Sequence, residues 1–224
     1  MKYRMIAGIL AFAACSGLMT GCVRKANDSS ADTASANAVE EVSETYAVGG
    51  SFTITLYPDI APESCANFEK LINDGFYNGL TFHRVVEDFM AQGGDPNGDG
   101  TGGSAENVLG EFSANPEFKG ENTLSHQRGI VSMARANDYN SASSQFFICY
   151  TDCSFLDGSY AAFGEVTEGM DVVDDFLKVE RAYGNDNALS YPKKPIVIIS
   201  ATMIDNDADG NPRAEFVMND FLAQ

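Results

Sequence analysis

Residues 82–96 read Phe82-His83-Arg84-Val85-Val86-Glu87-Asp88-Phe89-Met90-Ala91-Gln92-Gly93-Gly94-Asp95-Pro96. The stretch opens in a β-branched and aromatic run, Thr81 to Val86, which predicts a strand. It closes in a glycine-rich run without periodicity, GGDPNGDGTGG at 93–103, which predicts a loop. Upstream, Ser51 to Tyr57 alternates polar and apolar residues as a half-buried strand does, and Pro58 ends it. Pro62 suits the first turn of a helix whose apolar face carries Cys65, Phe68, Leu71 and Ile72, with Gly75 as its stop. Downstream, further strands are predicted at Gly129–Met133, Gln145–Tyr150, Phe163–Val166 and Pro195–Ile204. A second helix is predicted from about Met170 to Arg181, with Met170, Val173, Phe176 and Leu177 on one face. Many short strands with only two helices predict an antiparallel barrel or sandwich; the gaps are too short or too glycine-rich for a doubly wound sheet.

The rest of the chain divides by texture. Lys2 and Arg4 precede an apolar stretch of 14 residues, Met5 to Leu18, too short to span a bilayer comfortably. Leu18-Met19-Thr20-Gly21-Cys22 then resembles a bacterial lipobox. Residues 1–21 are accordingly expected to be a removable leader and Cys22 a lipidated N-terminus, anchoring the protein to a bacterial membrane on its extracytoplasmic side. Val23 to Thr45 has no aromatic residue and is rich in Ala, Ser, Asn, Asp and Glu, so 22–45 is expected to be a flexible tether. The globular domain is expected over 46–204, with a tail at 205–224 lying beyond it as a short helix or as disordered chain.

Charge excludes one class of partner. The 224 residues carry 14 Lys and Arg against 32 Asp and Glu, a net charge of −18. Nucleic acid is therefore not expected as a partner, because phosphate binding needs a basic footprint. Five cysteines are too few for a disulfide scaffold, and Cys149 and Cys153 have C-x₃-C spacing rather than the redox C-x-x-C. There is no G-x-S-x-G elbow and no H-E-x-x-H, and the two histidines, His83 and His126, read as structural. Residues 95–106 match an EF-hand pattern in letters, with Asp95 first and Glu106 twelfth, but the flanks lack helical periodicity. The similar start at Asp205 has Phe216 twelfth, which cannot ligate. No metal and no cofactor is expected.

The segment 82–96 resembles the cyclophilins, which are peptidyl-prolyl cis/trans isomerases. Arg128 to Ala134, Ser143 to Ile148, Phe155 to Gly158 and Phe163-Gly164 extend the likeness in order over residues 46–204. The resemblance implies a mainly β fold: a closed eight-stranded antiparallel barrel capped by two helices. It implies rotation about X–Pro bonds, a reaction whose barrier of roughly 18–20 kcal/mol comes from amide resonance. No bond breaks, so no nucleophile is needed; a donor aimed at the prolyl nitrogen weakens the resonance. By resemblance Arg84 is that donor and Gln92 orients it. Phe89, Met90, Phe147 and Leu156 line an apolar slot for the proline ring. Ala134, Arg135 and Ala136 offer backbone to the peptide, with Gln145 nearby. His83, Phe155 and Tyr160 complete the expected substrate-binding set. Phe155 stands where many members carry the Trp that contacts cyclosporin, so weak cyclosporin binding is expected. Tyr160 stands where many eukaryotic members have His. The expected partners are proline-containing peptides and unfolded exported proteins. The alternatives are a proline-peptide-binding or chaperone module with incidental isomerisation and, for the 95–106 loop, a calcium-dependent adhesion module.

Overall fold

The computed structural model of the chain describes residues 46–223, so the leader, Cys22 and the tether lie outside the described residues. Eight strands form one antiparallel sheet: β1 Val48–Leu56, β2 Thr81–Val86, β3 Met90–Asp95, β4 Ile130–Met133, β5 Phe146–Cys149, β6 Ala162–Glu168, β9 Ile198–Ile204 and β10 Arg213–Asn219. A separate hairpin joins β7 Arg181–Tyr183 to β8 Leu189–Pro192. The order across the large sheet is β2-β3-β5-β4-β6-β1-β10-β9. Its two ends meet along a short seam, where Thr81 bridges Val197 and the Phe82 N–H donates to the Ile196 carbonyl. The predicted mainly β, eight-stranded antiparallel architecture with two helices is the one observed.

Alternation along the strands sorts side chains into an inside and an outside. Phe82 and Val85 of β2, Ala91 of β3, and Phe146 and Ile148 of β5 point into the central core. Met90 and Cys149 point outward and, with Phe147, join Leu156 and Cys153 in a second, smaller apolar cluster on the outer face. The central core is aromatic: Phe52, Phe68, Tyr77, Phe82, Phe146, Phe163, Phe176 and Phe216 are all fully buried.

Helix α1 (Pro62–Asn73) plugs the sheet with Cys65, Phe68, Leu71 and Ile72, as its periodicity predicts, and Gly75 follows it at φ +69°. Ala61 supplies no side-chain cap. The buried Glu111 carboxylate does so instead, accepting from the N–H groups of Glu63 and Ser64 at 2.9 Å each and from Ser64 Oγ at 2.6 Å. A carboxylate there also meets the positive end of the helix dipole.

Three expectations are corrected. The second helix, α2, is shorter than predicted: it spans Met170–Asp175, tightens into a 3₁₀ turn at Phe176–Lys178, and Arg181 already begins β7. Val173 and Phe176 are nonetheless buried, on the face the periodicity predicts. Glycines 93 and 94 lie in strand β3 rather than in a loop. Glycine is poor in strands, yet here neighbours crowd Gly93 and exclude a side chain at Gly94. A Cβ at Gly93 would sit 3.1 Å from the Phe82 ring, and one at Gly94, which has φ +81°, would sit 2.4 Å from the Ser144 carbonyl oxygen.

The third correction concerns residues 205–224. They do not lie beyond the sheet as a helix or a disordered tail. Their strand β10 is inserted between β1 and β9, with Phe52 opposite Phe216 in register. The two rings stack at 5.2 Å with planes 8° apart. The domain thus runs past 204. Ala214, Phe216 and Met218 alternate with polar or half-buried neighbours, a period-2 signal visible in the sequence. The acidic letters before it belong to a turn in which Asp207 accepts from the N–H groups of Asp209 and Asn211.

A chain ending at Ile204 should therefore fail to give a cooperative unfolding transition. Phe216→Ala in the full chain should cost about 3–5 kcal/mol, the usual range for a buried Phe truncation, in urea titrations. An unchanged denaturation midpoint in either would mean that β10 is not integral to the fold.

Candidate active site

The candidate site is a row of side chains crossing three strands on the outer face. Arg84 of β2 is paired with Gln92 of β3, and Gln92 with Phe147 of β5. Around this row Arg84, Phe89, Met90, Gln92, Ala134, Phe147, Leu156 and Tyr160 line one apolar recess. The structure therefore brings together eight of the residues expected at the site. Tyr160 sets its ring edge on Phe147, with centroids 5.9 Å apart.

Polarity in the row follows from which groups can only accept. The carbonyls of Gly100 and Gly102 accept from Gln145 Nε2 at 3.1 and 2.7 Å. Gln145 must then turn its Oε1 to Gln92, which donates from Nε2 at 2.8 Å. That leaves Gln92 Oε1 facing Arg84 Nη1, at 3.5 Å. The glycine-rich loop thus supplies the far end of a head-to-tail amide chain. Gln145 belongs to this chain and does not line the recess. A contact of 3.5 Å is at the limit of a hydrogen bond, so Gln92 steers the guanidinium only weakly.

Arg84 has a stronger partner that sequence reading missed. Its Nε lies 2.7 Å from Asp186 Oδ2. Asp186 sits 102 residues away in the chain, in the β7–β8 turn. No motif spacing links the two. Arg84 Nη1 also approaches Met90 Sδ at 3.5 Å, and the guanidinium carbon lies 5.8 Å from the Phe89 ring centroid. Nη2 makes no hydrogen bond among the described residues.

Ala134–Ala136 flank the recess as expected, but their backbone is partly committed. The Ala134 N–H donates to the Gln145 carbonyl and the Ala136 N–H to Ser141 Oγ. Among the described residues the Arg135 N–H and carbonyl make no hydrogen bond. The Arg135 side chain is structural: Nε and Nη2 donate to the Ser159 carbonyl, and the guanidinium stacks on Phe112, Tyr139 and Tyr160. Phe155 is 71% exposed and stacks on Phe89 at the rim, outside the recess.

His83 is not in the recess. It is only 7% exposed, and it lines a separate groove with Asp95, Asn97, Tyr191 and Lys193. Neither ring nitrogen has a full hydrogen-bond partner, although the Thr81 backbone favours the protonated ring. Burial holds its pKa below the ordinary histidine value. His126 supports the recess from beneath. It stacks on Phe147 at 6.0 Å, its Nδ1 lies 2.7 Å from Asp157 Oδ1, and its Nε2 lies 2.9 Å from Ser132 Oγ. Burial lowers its pKa against the opposing pull of Asp157. Cys65, Cys149 and Cys153 are buried free thiols. Burial pushes the Cys65 thiol up to about 12, in keeping with a packing residue. In the 95–106 loop, the Asp95 carboxylate is occupied by the N–H groups of Asn97, Asp99 and Gly100.

An eight-stranded antiparallel sheet plugged by α1, with an Arg-flanked apolar recess on its outer face, defines a cyclophilin-like protein. Residues 41–203 match the family described as cyclophilin type peptidyl-prolyl cis-trans isomerase/CLD, so the chain belongs to the cyclophilin family and its enzyme class is peptidyl-prolyl cis-trans isomerase. The match stops short of β10. The chain is 44% identical over 123 residues to peptidyl-prolyl cis-trans isomerase B of Bacillus subtilis, covering 55% of this chain and 80% of that one. It is 41% identical over 165 residues to peptidyl-prolyl cis-trans isomerase A of Dickeya dadantii, covering 69% and 80%. Among solved structures, a cyclophilin type peptidyl-prolyl cis-trans isomerase of Cryptosporidium parvum, crystallised in the presence of the dipeptide Ala-Pro, is similar at a TM-score of 0.55 and 30% identity. That likeness covers 67% of this chain and 96% of the other.

The two buried histidines make stability depend on pH. Both folded pKa values lie below the unfolded one of about 6.5. As pH falls below that value the unfolded chain takes up protons that the folded chain refuses. Stability should then fall by up to about 1.4 kcal/mol per pH unit for each histidine, until the pH drops below the folded pKa. Urea unfolding at pH 7, 6 and 5 should show this loss, and His83→Gln should flatten it. Equal slopes in the variant and the parent would contradict a neutral buried His83.

Proposed function

We propose that the domain isomerises X–Pro bonds by donation from the Arg84 guanidinium to the prolyl nitrogen, with the proline ring seated against Met90, Phe147 and Leu156. The observation that carries this reading is the cross-strand row: a permanently charged donor anchored at the edge of an apolar recess. The recess takes the ring out of water. The free Arg135 N–H and carbonyl bond the chain on the N-terminal side of the proline and hold it extended. Arg84 then competes for the nitrogen lone pair, which resonance keeps in the planar amide. The gain comes as the bond twists, so it lowers the barrier rather than merely tightening binding. No proton moves and no covalent intermediate forms.

The substrates we infer are proline-containing segments of exported, incompletely folded proteins. This rests on the charged and apolar stretches before Cys22, which suit an exported lipoprotein held to a bacterial membrane by lipid on Cys22. The tether to residue 45 would leave the domain free to reach clients within a few nanometres of the surface.

Arg84→Ala should lower kcat/KM on a proline tetrapeptide by about 10²–10³, the usual cost of losing one preorganised donor, while peptide affinity changes little. Retention of the parent rate would sink the proposed mechanism and favour a binding module. Phe155 lacks an indole N–H to donate, and it lies at the rim. Cyclosporin should consequently inhibit weakly, and inhibition at nanomolar concentration in the same assay would show the opposite.

A further inference from the structure

We propose that Asp186 is a positioning residue for the isomerisation, holding the Arg84 guanidinium by its Nε so that the two terminal nitrogens face the recess. The inference rests on the reading of Arg84 given above and assigns a role in it to the β7–β8 hairpin, which lies outside the eight-stranded sheet.

Relative distances decide which partner orients Arg84. The Asp186 contact is 2.7 Å and joins two full charges, whereas Gln92 and Met90 each approach Nη1 only to 3.5 Å. Charge-assisted hydrogen bonds of that length are the strong ones, about twice a neutral bond. Held by Gln92 alone, the long arginine side chain would keep much of its rotamer freedom. Clamped at Nε, its plane is set, and Nη2 is left without a protein partner among the described residues.

Asp186 is itself held before substrate arrives. Its Oδ1 accepts from the Ala188 N–H and from Ser190 Oγ, at 3.0 Å each. Ser190 is buried. The turn is closed by Gly184 N–H to the Ala188 carbonyl and by Asn187 N–H to the Gly184 carbonyl. Asn187 takes a left-handed φ of +58°, which asparagine tolerates. The side chains of Arg84 and Asp186 are only 19% and 29% exposed, so solvent screens the pair less than an open surface bridge.

An ordinary surface ion pair would contribute little to anything. The two roles separate in a double-mutant cycle on the full chain, read as isomerisation of a proline tetrapeptide. Asp186→Ala should lower kcat/KM by about tenfold, mostly in kcat, with KM within about twofold. Asp186→Asn keeps an acceptor for Nε and should stay within about threefold of the parent. In an Arg84→Ala background, Asp186→Ala should change nothing further. An equal loss in both backgrounds would mean that Asp186 acts on the fold and not through Arg84. A full rate in Asp186→Ala beside a collapse in Arg84→Ala would overturn the Asp186 role alone. A full rate in Arg84→Ala would overturn both.

Discussion

The stacked pair Phe52–Phe216 is the contact on which the architecture turns. It joins β1 near the start of the domain to β10 near its end, and places both at the centre of an aromatic core. Phe52 also meets Phe82 and Phe176, while Phe216 meets Phe68, Tyr77 and Phe146. Strands, helices and the first and last strands of the domain are thereby tied through one set of rings. A curled antiparallel sheet has few other ways to bury its concave face, and aromatic side chains bury the most area for the entropy they lose. The pairing is long-range: the core is complete only with β10 between β1 and β9.

The recess on the outer face follows from the same pleat. Each strand that sends Phe146 or Ala91 inward must send Phe147 or Met90 outward. An outward Phe and Met would normally be an exposed liability. Here Leu156, Cys153 and the His126 ring build a small second core beneath and beside them, leaving one open side. The outer row Arg84–Gln92–Phe147 takes its spacing from the strand register.

Polar groups complete the site by satisfying one another in a fixed order. The Gly100 and Gly102 carbonyls can only accept, so Gln145 and Gln92 are each turned one way, and an acceptor ends beside the guanidinium. Such a chain is stable only when every member has a partner. The isomerisation proposed above moves no proton, so it asks for no catalytic histidine or thiol. His126 and the cysteines are packing groups, and burial holds His126 and Cys65 in their neutral forms.

Much of this was legible in residue order. Periodicity located α1 and six of the ten strands, and the motif at 82–96 with Phe147 and Leu156 marked the recess. Those signals are local: a strand face or a helix face is set by neighbours two to four residues away. What local patterns could not decide was partnership at a distance. Gly93 and Gly94 read as loop because their reason for being glycine is the ring of Phe82 and the backbone of Ser144, absent from any short window. Residues 213–219 carried a strand pattern, but nothing in the chain said it belonged between β1 and β9. The closeness of Asp186 to Arg84, like the capping of α1 by Glu111, arises only when the sheet curls and brings separate loops together. The sequence alone determined α1, six of the ten strands and the residues of the outer row. The tertiary structure decided which face became the core and which distant carboxylate holds the arginine, because both depend on long-range packing that no single segment encodes.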